Sequence, residues 1–317
     1  MVSTEPPAPR AWYGCMGLGG SWDEQPYGAQ DIELAERAVN TALEVGITAF
    51  DHADIYRFGK AESVFGELIA RDPGLRRRIV LQTKCGIRLA QDGMPGHYDL
   101  RGASIIERVE QSLARLRTDH VDVLLLHRPD PLARPEEVAE ALTKLRDQGL
   151  VKHFGVSNMS AEQIQDLEHR LDFPLVANQL EMSLASRAWV EAGVLVNTAE
   201  GASVGFPSGV TEYCRRRGMQ IQAWGALARG RYTGRQETEA EHATADLVSA
   251  IAAAAETTPE AVLLWWLQRH PARISPVIGT TNPGRIRACA DSVRREPELS
   301  HEDWYRLWIS ARGSALP

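Results

Sequence analysis

The sequence predicts an α/β fold, a single (β/α)8 (TIM) barrel domain spanning residues 1–317. Three observations predict it: eight short β-branched or aliphatic segments alternate with longer helical ones, no Pro/Ser-rich linker divides the chain, and no segment repeats another. The length suits a barrel of roughly 250 residues with decoration. That decoration is expected as a C-terminal helical extension and a long loop between strands six and seven.

The strand candidates are Gly14–Leu18, Ile47–His52, Ile79–Cys85, Val121–His127, Lys152–Ser157, Ala177–Met182, Gln220–Trp224 and Ser275–Gly279. Between them, apolar residues recur at helical spacing. Ile105, Val109, Leu113 and Leu116 mark one buried face, with Arg108, Glu110 and Arg115 turned outward. Val138, Leu142 and Leu145 mark another, opened by Pro135-Glu136 and closed by Gly149. Thr258-Pro259-Glu260 places an N-cap residue, a first-turn proline and an acid at a positive helix end. Ala192–Gly209 breaks the rhythm, being rich in Gly, Ser and Ala without a period; it reads as a lid over the site or as an inert insertion.

Composition narrows the function. The chain is 44% hydrophobic and 24% charged, the proportions of a soluble globular protein. Its 35 basic and 42 acidic residues give a net charge of −7, without the clustered basic face of a nucleic-acid partner. Cys15, Cys85, Cys214 and Cys289 lie far apart, which reads as reduced thiols and neither a disulfide framework nor a metal knuckle. The amino end, MVSTEPPAPR, has no secretory pattern, and the apolar runs Leu247–Ala255 and Ala261–Leu267 end in charge well short of a membrane span. A cytoplasmic protein with no membrane partner is expected, as a monomer or small homo-oligomer.

In a barrel, function gathers at the carboxyl ends of the strands. There the sequence places Phe50-Asp51-His52-Ala53-Asp54-Ile55-Tyr56, Gln82-Thr83-Lys84, His127-Arg128, Gly155-Val156-Ser157-Asn158 and Asn178-Gln179-Leu180-Glu181. Taken singly, Lys84 reads as a snorkelling lysine, His127 as a satisfied structural histidine and Tyr56 as an amphipathic wall residue. Taken together with Asp51 they form a proton-transfer set. A free phenol has a pKa of about 10, too high for acid–base work at neutral pH, and an adjacent ammonium stabilises its phenolate. Asp51 would hold Lys84 charged, and His127 would orient a substrate oxygen. His52 and Arg128 flank these positions, and strand alternation turns both away as structural neighbours.

Such a set protonates an oxygen as hydride reaches the adjacent carbon, so a hydride donor is required. Gly14-Cys15-Met16-Gly17-Leu18-Gly19-Gly20 is glycine-rich, but it is not the dinucleotide fingerprint G-x-G-x-x-G. A nicotinamide would therefore have to lie across the barrel mouth.

On these residues the chain resembles the aldo-keto reductase superfamily of NAD(P)H-dependent carbonyl reductases. Gly17-Leu18-Gly19-Gly20, the Phe50–Tyr56 segment, Lys84, Leu124-Leu125-Leu126-His127-Arg128-Pro129 and Gly155–Asn158 stand in the family's order, and the second strand resembles its bacterial oxidoreductase branch. The resemblance implies a catalytic tetrad of Asp51, Tyr56, Lys84 and His127, with Tyr56 as proton donor. It implies Ser157, Asn158 and Gln179 on the nicotinamide carboxamide and Trp224 stacked beneath the ring, although Trp224 alone also reads as core packing. The implied cofactor contacts extend to Gly20, Ser21, Trp22, Gly225, Leu227, Arg229, Gly230, Ile278, Gly279, Thr280 and Thr281. Arg285 is either a helix-surface residue or the anchor of a 2′-phosphate, which makes NADPH the expected cofactor and NADH the other candidate. Departures are Gly279, where many members carry Lys, and Ala288 and Cys289, where others place polar residues against adenine.

By the same resemblance the partner is a small carbonyl compound, in a pocket of Trp22, Tyr56, His97, Tyr98 and His127. No metal is expected. Two other readings stay open: a metal-dependent barrel hydrolase using Asp51, His52, Asp54, His127 and His153, and a cofactor-sensing barrel with little turnover.

Overall fold

The computed structural model describes residues 6–91 and 93–317. The first five residues, on which the reading of the amino terminus partly rests, lie outside the described residues. Eight parallel strands close into a barrel: β1 (Trp12–Gly14), β2 (Ala49–Asp51), β3 (Val80–Cys85), β4 (Val121–Leu126), β5 (Val151–Ser157), β6 (Leu175–Glu181), β7 (Gln220–Trp224) and β8 (Ser275–Ile278). Each strand pairs with its chain neighbours, and β1 pairs with β8 to close the ring. A short antiparallel hairpin, Ile87–Arg88 against His97–Tyr98, follows β3.

Seven strands fall within two residues of their expected limits. The first does not: the strand is Trp12–Gly14, and Cys15–Gly17 is a 3-10 turn closed by Leu18 N–H donating to the Cys15 carbonyl. A Cβ on Gly17 would lie 2.9 Å from Thr281 Cγ2, so the glycine lets this turn pack against the loop after β8.

Period-two alternation separates two cores. Trp12, Ala49, Val123, Leu125, Ala177 and Val277 form a small apolar cluster inside the barrel. Their strand neighbours, among them Tyr13, Phe50, Leu81, Leu124, Phe154 and Ile221, join the large cluster beneath the helices. Continued to the carboxyl ends, the inward parity aims Asp51, Lys84, Ser157, Gln179 and Trp224 into the mouth.

The helical readings are confirmed with one correction. Ile105, Val109, Leu113 and Leu116 are buried on helix Gly102–Leu116, as are Val138, Leu142 and Leu145 on Pro135–Asp147. The Thr258 hydroxyl caps helix Pro259–Gln268 by accepting from Ala261 N–H. Arg108 and Arg115, however, are not turned to solvent. They reach the buried carboxylates of Asp54 (2.6 Å) and Glu62 (2.7 Å), because this helix packs against helix Lys60–Arg71, which carries Glu62.

The C-terminal extension ends in helix His301–Arg312, which is locked to Pro259–Gln268. Trp304 and Trp266 stack at 5.1 Å and 10°, and each indole N–H donates to the other's carbonyl, at 2.8 and 3.1 Å. The Ala192–Gly209 segment is more ordered than its sequence suggests. It holds the end of helix Ala188–Val194 and a 3-10 turn, Gly201–Ser203. Arg312, on the final helix with its side chain buried, pairs with Glu191 and Glu200 on either side of the buried Leu195. None of its residues lines the cavity in the barrel mouth, so the lid reading is not supported; Ser183, Ala185 and Ser186, just after β6, line it instead.

The tryptophan lock makes Trp304→Ala expensive. Urea unfolding should show a loss of about 3–5 kcal/mol, as for burying a cavity in place of a large aromatic side chain.

Candidate active site

The carboxyl ends of the strands open onto a cavity of about 910 Å³. Its floor is built around Lys84, fully buried on β3. An ammonium has three N–H bonds, and all three are engaged. Lys84 Nζ donates to Asp51 Oδ2 at 2.7 Å, to the His52 carbonyl at 2.9 Å and to Tyr56 Oη at 3.0 Å. Since Tyr56 Oη accepts from the lysine, its own hydrogen is left to point into the cavity, which Tyr56 lines.

Burial disfavours the Lys84 charge, but Asp51 and Tyr56 outweigh burial and hold its pKa above the ordinary lysine value. Burial likewise pushes the Tyr56 phenol up, and Lys84 only partly offsets this. The depressed phenol that the sequence argument expects is therefore not found in the free chain, where Tyr56 is a neutral O–H donor.

His127 stands edge-on to Tyr56, with ring centroids 6.0 Å apart. Burial, with Lys84 and Arg128 adding to it, holds its pKa well below the usual histidine value, so the ring is neutral. Its Nδ1 is buried without a partner. A buried acceptor left unpaired costs less than a buried donor that also lacks a partner, so we assign the proton to Nε2. His52 is buried against Phe65, with neither ring nitrogen bonded and its pKa lowered by burial to about 3. It is a structural residue, in line with its sequence reading.

Arg128 is different. It lines the cavity, contrary to the expectation from alternation, because β4 ends at Leu126 and both His127 and Arg128 lie beyond the pleat.

Beneath the cavity a ladder of buried amides crosses the barrel. Gln82 Nε2 donates to Asp51 Oδ1 (2.6 Å) and Gln222 Oε1 (2.8 Å); Gln222 Nε2 returns a bond to Gln82 Oε1 (3.0 Å); Gln179 Nε2 donates to Gln222 Oε1 (2.9 Å). The ladder joins the tetrad side of the mouth to the β5–β6 side. There Asn158, in the left-handed region at φ 58°, donates to Ser157 Oγ at 2.7 Å, and Ser157 Oγ donates to the Gln179 carbonyl at 2.9 Å. Trp224 lines the cavity and its indole N–H donates to Asn158 Oδ1 at 3.4 Å.

The loops after β7 and β8 form an electropositive end. Arg229, Arg231, Arg235 and Arg285 line it, and among the described residues only Arg231 has a carboxylate partner, Glu241 at 3.3 Å. Gly225, Leu227, Gly230, Gly279 and Thr280 line the same end, and a Cβ on Gly279 would meet nothing within 4 Å. Unpaired guanidinium groups around open backbone fit a phosphorylated ligand, and the extent of the cavity fits a dinucleotide. Sequence reasoning found Arg229 and Arg285 but missed Arg231 and Arg235, which lie in a loop without a strand or helix period.

Other expected positions are not brought to the cavity. His97 and Tyr98 are exposed in the hairpin after β3 and do not line it, so they are corrected out of the pocket; two-residue strands at a loop tip follow the loop's path and not the barrel's parity. Gly20 and Ser21 do not line it although Trp22 does, and Ile278 and Thr281 lie behind Gly279 and Thr280. Ile278 has the outward parity of its strand. For the hydrolase reading, the described residues hold no group of three His, Cys, Asp or Glu side chains placed to share a metal ion. Asp54, which that reading would use, is instead paired with Arg108 and pushed by burial up to about 6. No single helix among the described residues is long and apolar enough to cross a membrane.

Comparison with known proteins agrees with this geometry. The model of the aldo/keto reductase family matches residues 12–309. The chain is 34% identical over 316 residues to a 6-dehydroglucose reductase of Novosphingobium aromaticivorans, covering 98% of this chain and 93% of the relative. It is 33% identical over 281 residues to the oxidoreductase YdhF of Escherichia coli, covering 87% and 86%. Among solved structures, the glycerol dehydrogenase of Gluconobacter oxydans shares the fold at a TM-score of 0.81, with 24% identity over 97% of this chain and 93% of that one. An aldo/keto reductase of Klebsiella pneumoniae, solved with NADP and acetate, gives a TM-score of 0.72 and 25% identity over 94% and 90%.

The amide ladder has a measurable worth. Gln222→Leu leaves Gln82 Oε1 and Gln179 Nε2 buried without these partners, and should lower stability to urea by about 1–3 kcal/mol.

Proposed function

Because the chain belongs to the aldo/keto reductase family, and is therefore an oxidoreductase that uses a nicotinamide cofactor on small carbonyl compounds, we propose that it reduces an aldehyde or ketone to the alcohol with Tyr56 as proton donor and NADPH as the preferred cofactor. The observation that carries the reading is the full engagement of Lys84: its bond to Tyr56 Oη leaves the phenolic hydrogen facing the cavity.

Ser157, Asn158 and Gln179 would hold the nicotinamide carboxamide, with Trp224 as the surface beneath the ring. Arg285, with Arg229 and Arg235 beside it, would hold the 2′-phosphate. When bound, the reduced nicotinamide supplies a hydride to the carbonyl carbon. Everything else is done by the chain. Neutral His127 donates from Nε2 to the carbonyl oxygen and fixes its position. Tyr56 gives its proton to that oxygen as negative charge develops on it. The phenolate left behind is stabilised by Lys84 Nζ at 3.0 Å, and Asp51 at 2.7 Å keeps that lysine charged throughout. The tetrad thus acts by charge bookkeeping within one buried cluster. Water need not enter it.

Two measurements test the proposal together. Intrinsic tryptophan fluorescence should be quenched saturably by NADPH, and at lower concentration than by NADH. Tyr56→Phe should retain that quenching while kcat for NADPH-dependent aldehyde reduction falls by about 10²–10⁴, the usual worth of a positioned general acid. A fully active Tyr56→Phe enzyme would show that another group delivers the proton.

A further inference from the structure

One cation in the cavity belongs neither to the tetrad nor to the electropositive end. Arg128 is half-buried, lines the cavity and directly follows His127. It stands at the end of β4, which the strand order places across the barrel from β8, so it faces the mouth from the side opposite Arg285. Among the cavity-lining residues it is the one arginine outside the 229–285 group.

Its guanidinium has no ion-pair partner among the described residues: no carboxylate lies within 4.0 Å of it, and no hydrogen bond from it is found there. The nearest acid in sequence, Asp130, is committed elsewhere: its carboxylate accepts from Leu100 N–H and Leu132 N–H, both at 2.9 Å. Asp51 is bound to Lys84 and Gln82. Glu181, which also lines the cavity, accepts from Ser186 Oγ at 3.4 Å and forms no ion pair with Arg128, and the walls contributed by Met16, Trp22 and Ile55 are apolar. A guanidinium partly withdrawn from water, without a partner, beside the reacting centre, is complementary to an oxyanion brought in by the substrate.

We propose that Arg128 is a specificity-determining residue, which binds an anionic group, a carboxylate or a phosphate monoester, carried by the carbonyl substrate a few bonds from its reacting carbon. The proposal rests on the reductase reading above. It narrows the substrate class from carbonyl compounds in general to oxyanion-bearing aldehydes and ketones. Arg128 plays no part in moving the hydride or the proton. Its contribution is to binding and orientation.

The test compares substrates that differ only in the anionic group: succinic semialdehyde against butanal, and glyceraldehyde 3-phosphate against glyceraldehyde. The wild-type chain should favour the charged member of at least one pair by roughly tenfold to a hundredfold in kcat/KM, as expected for one charge-assisted hydrogen-bonded contact. A preference confined to the first pair identifies a carboxylate, and one confined to the second a phosphate. Arg128→Gln should bring the ratio of charged to neutral kcat/KM toward one, chiefly through KM of the charged member, and Arg128→Lys should restore part of it. Equal kcat/KM within both pairs in the wild type, or a preference that survives Arg128→Gln, overturns the assignment while leaving the reductase reading standing. Failure to reduce any of the four compounds overturns the assignment, and the reductase reading falls with it only if neither NADPH nor NADH quenches the tryptophan fluorescence.

Discussion

The site depends on one buried ion pair. Lys84 and Asp51 meet at 2.7 Å with both side chains almost wholly withdrawn from water, a placement that costs several kcal/mol per ion before their attraction and hydrogen bonds offset it. The pair persists because the hydrogen-bonding capacity of the two ions themselves is met. The third lysine hydrogen goes to Tyr56, the second to the His52 carbonyl, and the other oxygen of Asp51 to Gln82. A hydrophobic replacement of similar volume would pack there as well. What it would lose is the fixed positive charge beside the phenol, which ties the cluster to chemistry more than to stability.

The barrel supplies that cluster with its geometry. Because inward-facing residues recur at every second position, Asp51 and Gln82 meet in register on β2 and β3, and Lys84 rises one inward step nearer the mouth. Gln179 and Gln222 are likewise in register on β6 and β7. The amide ladder between these pairs spans the barrel, so the proton-transfer side and the side proposed to hold the nicotinamide share one rigid floor. The mobile-looking parts of the sequence are held away from it: Arg312 fastens the segment around Leu195 to the last helix, and the stacked Trp266–Trp304 pair fastens that helix to the barrel.

Much of this was legible in the sequence, for physical reasons that also mark where legibility ends. Strand–helix alternation and the apolar faces of Gly102–Leu116 and Pro135–Asp147 report burial directly, and burial is what the folded chain obeys. Asp51, Lys84 and Gln179 could be placed because they lie within strands, where parity decides orientation. Parity governs only the strands themselves: Arg128, two residues past β4, lines the cavity against the alternation, and His97 and Tyr98, in the separate hairpin after β3, do not line it. Arg108 and Arg115 read as solvent-facing because a helical wheel shows no neighbouring helix; the buried Asp54 and Glu62 they meet lie about fifty residues away. The direction of the Tyr56 shift also needed the structure, since it is set by how completely the phenol is buried as well as by the lysine beside it.

The central claim is that the Lys84 charge makes Tyr56 a proton donor. It is tested most directly by measuring kcat for NADPH-dependent aldehyde reduction in Lys84→Met against the wild type, with NADPH affinity followed by fluorescence in both. The account predicts that kcat falls by about 10²–10⁴, as for loss of a general acid, while NADPH still binds. A folded, NADPH-binding Lys84→Met chain with wild-type kcat would contradict it.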